Sequence, residues 1–337
     1  MKRRAVSYLA FFAAVFSSFQ VAAQESQSSV DQAREALSRQ EGDADAARQL
    51  EEVFQAAEKN YSLLKKGKFS LTYNFDYSYF GDQRLDIDII DGRILNFDVT
   101  PAAQHNFTNT FTIDFGLLNN LTLSTRIPLV TKYETSDELD NSDMGDVSFT
   151  FRYQPFSYVP GRMSTTLFGS FKSVTGSSPY EIDIRRQLAT GSGYYTVSAG
   201  ASFSKVLDPV VVFSSLSFSY AFNETGLNQV RGGRILEQVD PGNSLSLSGG
   251  FAYSLSYDVS LSISAQVGFT DETVLKFRDG GEAVAEDQLS ALVNFALGIR
   301  VSDKTIVNTN VGFGLTEDSP DVLIGVSLPI NIGGLAE

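Results

Sequence analysis

Phe69-Ser70-Leu71-Thr72-Tyr73-Asn74-Phe75-Asp76-Tyr77-Ser78-Tyr79 alternates apolar and polar residues without a slip. A period of two is the signature of a strand with two different faces. Eleven residues is about twice the usual length of a strand in a soluble domain. It matches the roughly ten-residue dyad pattern of a strand that crosses a membrane in a closed barrel. The pattern recurs at Phe107–Phe115, Val147–Tyr153, Leu216–Phe222 and Val259–Phe269.

Working outward, twelve such segments are expected near 68–80, 104–116, 121–133, 144–156, 162–174, 193–206, 210–222, 243–256, 259–271, 287–301, 304–315 and 321–332. Twelve is an even number, as single-chain bacterial barrels require. The connections alternate short and long, with only 316–320 short where a long one is due. Short ones belong on the periplasmic side and long ones outside. A soluble β-sandwich would carry charges on its polar face. Here that face is Ser, Thr, Asn, Gln and Gly, and the apolar face is rich in Phe and Tyr. The expected fold is all-β, an antiparallel up-and-down transmembrane barrel over residues 68–332 in the outer membrane of a Gram-negative bacterium. With no Trp in the chain, Tyr and Phe must form the interfacial girdle.

Composition excludes several functions. The 337 residues include no Cys and one His, so thiol chemistry, zinc ribbons and multi-histidine metal sites are out of reach. The formal charge of −14 leaves no basic surface for nucleic acid. No cofactor is expected.

The N-terminus differs from the rest. Lys2, Arg3 and Arg4 precede an apolar stretch from Ala5 to Phe19, and Val21-Ala22-Ala23 offers small residues for cleavage. Residues 1–23 read as a signal peptide cut after Ala23. Residues 24–67 read as a periplasmic helical segment, with helices over about 29–41 and 43–65 and a break at Gly42-Asp43. Leu50, Phe54, Ala57, Tyr61 and Leu64 follow 4-3-4-3 spacing, a heptad stripe. Lys65-Lys66-Gly67 suits a helix C-terminus. The first helix either pairs with copies of itself, giving a homo-oligomer, or is a flexible tail. The second either plugs the barrel or lies against its rim.

Parity assigns inward side chains. Asp76, Asp114, Arg126, Arg152, Lys172 and Arg300 occupy polar positions of their strands and are the candidate lumen lining, because charges facing lipid cost several kcal/mol near the midplane. A lumen of this circumference passes small solutes or an extended chain, and not a folded globule. Loop 175–192, with Glu181, Asp183, Arg185 and Arg186, is long enough to fold inward or to stay outside. Asp86, Asp88 and Asp91 flank a hairpin signal at Asp91-Gly92, and their spacing is not that of an EF-hand. Solvated hairpin carboxylates fit them better than a metal. An outer-membrane hydrolase needs Ser beside His, and the outward residues next to His105 offer none. A non-enzyme is expected.

Three stretches carry a family resemblance: Gly145-Asp146-Val147-Ser148-Phe149-Thr150-Phe151-Arg152-Tyr153, then Ala189-Thr190-Gly191-Ser192-Gly193 leading to Ala199–Lys205, and Gly312-Phe313-Gly314-Leu315-Thr316-Glu317-Asp318-Ser319-Pro320-Asp321. In this order the chain resembles the outer-membrane barrels named for the MetA pathway of phenol degradation. That family includes the export channel of the Fap functional-amyloid system. The resemblance implies a channel, with a polypeptide or a small molecule as cargo and outer-membrane lipid as surroundings. It also implies a periplasmic helical plug ahead of the barrel. Residues 333–337 depart from the aromatic C-terminus usual in such barrels.

Overall fold

The computed structural model describes residues 63–330, except 91–92, 136–137, 158, 160, 184–185, 208, 232, 257 and 303–304. Within 82–102 it describes the backbone alone. Signal peptide, first helix and most of the second lie outside the described residues.

The strands are β1 (Phe69–Ile90), β2 (Arg93–Leu118), β3 (Leu121–Glu134), β4 (Leu139–Met144), β5 (Ser148–Tyr153), β6 (Ser164–Lys172), β7 (Thr196–Leu207), β8 (Val210–Ala221), β9 (Glu224–Arg231), β10 (Arg234–Asp240), β11 (Ser244–Ser254), β12 (Val259–Thr270), β13 (Thr273–Phe277), β14 (Glu282–Ala285), β15 (Gln288–Ser302), β16 (Thr305–Gly314) and β17 (Val322–Ile330). Twelve of them form a ring in the order β1-β2-β3-β5-β6-β7-β8-β11-β12-β15-β16-β17. It closes through β1 and β17, from Leu71 opposite Ile330 to Tyr79 opposite Val322. Every pairing in the ring is antiparallel, so each strand's backbone groups are satisfied by its two neighbours, as a hydrocarbon surround requires. The end carrying Phe69 and Ile330 also carries the short connections 119–120, 208–209 and 303–304, which makes it the periplasmic end.

The two faces differ as alternation demands. Phe151, Leu216, Phe218 and Tyr220 stand outward and remain 47–50% exposed. Thr110, Thr122, Thr166, Ser202 and Ser260 occupy the enclosed face and are buried. Nothing but lipid suits an outer surface with so much apolar area.

Five elements, β4, β9, β10, β13 and β14, fall in segments expected to be loops, and the expected loop 81–103 is strand as well. β1 and β2 run on as a ribbon beyond their other partners: β17 leaves β1 at Tyr79, whereas β2 follows it to Ile90 opposite Arg93. Register places Asp86 opposite Asp98 and Asp88 opposite Asn96. Segments 223–242 and 272–286 form a second sheet in the order β14-β13-β10-β9. Because β9, β10 and β13 directly continue β8, β11 and β12, this sheet extends one wall of the barrel past the membrane. Its apolar side is the cluster of Leu227, Leu236, Val239 and Phe277, with Tyr180 and Leu275 packed on it. These hairpins are short and their alternation is partly broken by a bulge between Leu236 and Gln238, which hides them in the sequence. At the sheet's rim Arg234 grips Asp279 through two bonds of 2.7 and 2.8 Å. That grip holds the Asp279 carboxyl down at about 2. A depressed carboxylate contributes fully above the ordinary carboxylate range, and its contribution fades as pH falls through about 2.

The strand expected over 144–156 is only β5, and β4, in the expected connection 134–143, precedes it with a break between them. β4 pairs with Leu129–Glu134 and β5 with Leu121–Arg126 of the same strand, β3. Gly145-Asp146-Val147 lies between. Pro128 sits on β3 at the break, and its carbonyl accepts from the Gly145 amide at 2.9 Å. In an antiparallel ladder a residue's N–H and C=O point to the same side. The N–H that Pro128 lacks is therefore missing where the partner strand is itself interrupted. A Cβ at Gly145 would meet Val130 Cγ2 at 2.9 Å and Pro128 Cγ at 3.1 Å, so the break also needs glycine.

Candidate functional site

The lumen is the candidate site. Asp76 on β1, Asp114 on β2, Arg126 on β3, Arg152 on β5, Lys172 on β6 and Arg300 on β15 all stand on the parity that carries the enclosed serines and threonines. Five of the six lie on the neighbouring strands β1 to β6. There Arg152 donates to Asp114 at 2.5 Å across the face of the sheet. Arg126 lies within electrostatic reach of Asp76. Lys172 stands 3.7 Å from Asp146 and donates to Ser192 Oγ at 2.7 Å. Arg300 stands apart at the periplasmic end, 4.0 Å from Asp258 in the β11–β12 turn.

The opposite wall has a different chemistry. On β7, β8, β11, β12, β16 and β17 the lumen parity carries no charged residue. Serines and threonines are its commonest side chains, with Asn308, Asn310, glycines and a few apolar residues such as Phe213 and Leu323 among them, and several hydroxyls bond across strands. Ser198 meets Ser219 at 2.7 Å, Ser215 meets Ser248 at 2.7 Å, and Ser244 meets Thr270 at 3.0 Å. These rows satisfy buried hydroxyls pairwise and leave the wall uncharged.

At the periplasmic mouth, residues 63–65 have non-helical backbone, which corrects the helix expected to run to residue 65. Gly67 takes φ +75°, the left-handed conformation that glycine adopts freely. Leu64, one of the stripe residues, donates its amide to Oγ1 of Thr122 at 2.9 Å. Thr122 faces the lumen and is fully buried. Lys66 donates to Asn119 Oδ1 at 3.2 Å, and Gly67 to the Gly116 carbonyl at 2.7 Å. A Cβ on Gly116 would sit 2.2 Å from the Lys65 carbonyl oxygen, so that glycine is the notch through which the chain passes. Leu50, Phe54, Ala57 and Tyr61 lie outside the described residues.

At the outer end, two of the resemblance stretches meet although about 45 residues separate them in sequence. One Asp146 oxygen accepts from the Gly176 amide at 3.1 Å, and the other from the Ser192 amide and hydroxyl, each at 2.8 Å. Thr190 Oγ1 donates to the Met144 carbonyl at 2.9 Å, and Thr175 Oγ1 to that of Gly145 at 2.8 Å. Gly176 and Gly191 touch so closely that a Cβ on Gly176 would stand 2.7 Å from the Gly191 Cα. Loop 175–192 thus fills the wall beside β4 with side-chain bonds where no strand pairs. Its far side reaches the second sheet, where Gln229 Nε2 and Arg231 Nη2 donate to the Pro179 carbonyl at 3.0 and 2.8 Å. The third stretch closes the rim elsewhere: Asp321 accepts from the Gly81 amide at 2.6 Å, Asp318 from Leu289 at 2.8 Å, and Ser319 from Ala291 at 2.8 Å.

On the lipid side, His105 Nδ1 lies 2.9 Å from the Tyr77 hydroxyl, with the rings of Tyr79 and Tyr133 at 5.3 and 6.1 Å. These partners are tyrosines of the outer aromatic belt.

Two features escaped sequence reasoning. Lys132 shares the parity of Arg126 six residues further along β3, opposite Asn106 and Asn141. Even spacing was the available signal. The junction role of Asp146 had no local signal, because its partners come from residues 172–192.

No family model matches the chain. Among solved structures, the chain is similar to the COG4313 outer membrane channel from Pseudomonas putida F1, with a TM-score of 0.59 and 14% identity over 80% of this chain and 97% of that one. It also aligns with the translocator domain of the autotransporter NalP from Neisseria meningitidis, at a TM-score of 0.49 and 10% identity over 86% of this chain and 98% of that one. At these identities the likeness is one of fold: this chain has the fold of an outer-membrane β-barrel.

Proposed function

We propose that the protein is an outer-membrane channel with a polar lumen, closed on the periplasmic side by the segment that precedes Leu63. The observation that carries the reading is the enclosed face itself, hydroxylic or charged around nearly the whole ring. Passage is passive, limited to small solutes or an extended chain. One feature supports closure by the N-terminal segment. The chain turns to the lumen side of the mouth at Leu64, anchored on Thr122.

Export of an unfolded, amyloid-type polypeptide is the cargo favoured by the family resemblance. The uncharged hydroxyl wall suits it, since serine rows can exchange hydrogen bonds with a passing backbone. A second reading, uptake of small apolar molecules, draws on the break beside β4. There the barrel wall is held by side chains of loop 175–192 rather than by a strand.

Gly116→Leu tests the closure. The side chain would occupy the space of the Lys65 and Leu64 carbonyls. The expected result is a several-fold larger current in planar bilayers from a protein that still shifts on a gel when heated. An unchanged current from an intact barrel would refute this route of closure.

A further inference from the structure

We propose that the lumen selects anions, carboxylates among them, and that Arg126 is its recognition group, with Lys132 as an outer station on the same strand. This rests on the reading of the protein as a channel and names the class of solute it favours.

Within the charged sector most acids are already engaged. Asp114 is bonded to Arg152 at 2.5 Å, and Asp146 is bonded to Gly176 and Ser192 and lies 3.7 Å from Lys172. Glu134, at the outer rim, has an interaction of its own. Arg300 belongs to the periplasmic turn with Asp258. Two cations remain. Arg126 is exposed within the lumen, and among the described residues no carboxylate lies within 4 Å of it. Lys132 likewise has no ion pair among the described residues. Against these two stand Asp76, at longer range from Arg126, and Asp143 on the lumen parity of β4, which accepts from Ser177 and the Met144 amide.

Position sharpens the effect. Both cations project from the same face of β3 six residues apart, about 20 Å along the strand. A solute entering from outside passes Glu134 at the rim, then meets Lys132 and, deeper in, Arg126. The facing wall carries no charge to offset them, only hydroxyls able to donate to an anion's other side. Two cations on one strand facing an uncharged wall concentrate counter-ions between them. A guanidinium adds a planar fork that fits a carboxylate. The lumen thus runs opposite in sign to a chain whose net charge is −14.

The test is the reversal potential of the full chain in planar bilayers across a tenfold KCl gradient, with the dilute side near 0.1 M so that screening stays moderate. Chloride is expected to be favoured over potassium by about threefold or more, modest against the field focusing that charged clefts reach. Arg126→Gln should bring the ratio close to one, Arg126→Lys should keep it, and Lys132→Gln should lower it partly. Heat-shifted migration of each variant checks that the barrel has formed. A conducting wild type that favours potassium or neither ion, or an Arg126→Gln variant with an unchanged ratio, overturns the anion proposal alone. If neither the full chain nor the chain lacking residues 25–62 ever conducts, the channel reading falls with the anion proposal.

Discussion

Removing residues 25–62 while keeping the signal peptide should produce a protein that inserts normally and conducts several-fold more than the full chain. The reason lies in the geometry of the periplasmic mouth. Leu64, Lys66 and Gly67 are hydrogen-bonded to Thr122, Asn119 and Gly116, so the chain ahead of them starts from the lumen side of the rim. A segment starting there, with apolar residues every three or four positions, would meet mostly small polar side chains in the bore, and such weak contacts would allow its release. Retaining residues 63–67 keeps the anchor and isolates the effect of the segment beyond it. Single-channel recording decides the matter. An unchanged unitary conductance, from protein that shows the normal heat shift, would mean that the segment lies elsewhere.

The second large effect concerns Asp146. Its carboxylate is almost wholly buried and receives three hydrogen bonds from Gly176 and Ser192, beside the Lys172 ammonium. Asp146→Ala would strand two amides and take the counter-charge from Lys172 at the point where the wall has no strand pairing. Removing one partner of such a buried, charge-assisted network costs about 3–5 kcal/mol. Refolding into lipid across a urea series should show that loss, and Asp146→Asn, which keeps one acceptor, should lose less. A loss under about 1 kcal/mol, the scale of an exposed pair, would show that the junction does not depend on this carboxylate.

The contrast between the two regions explains what is legible in the sequence. The wall is local information. In Phe69–Tyr79 each residue's face follows from its neighbours two positions away, so twelve strands and their order can be read along the chain. The lumen charges follow from the same parity, and alternation alone is enough to place Arg126 and Arg152 inward. The junction is different, since Asp146, Gly176 and Ser192 have no periodic relation and only the closed ring brings them together. The second sheet is hidden for a third reason. β13 and β14 are five and four residues long, too short for alternation to emerge, and their order depends on packing Leu236 and Val239 against Tyr180 from another connection. Glycines mark such places better than hydropathy does: Gly116 and Gly176 stand where another backbone approaches too closely for a Cβ, and Gly145 where the Val130 and Pro128 side chains do.

A chain without cysteine permits the most direct test of the central claim, a transmembrane barrel with its polar face inside. Single cysteines placed in turn from Ser215 to Tyr220 on β8, each carrying a bimane label in proteoliposomes, would be read by quenching from nitroxide-bearing lipid. Strong quenching is expected at Leu216, Phe218 and Tyr220 and weak quenching at Ser215, Ser217 and Ser219. Uniformly weak quenching along the strand would contradict the account, because it would place both faces of β8 away from lipid.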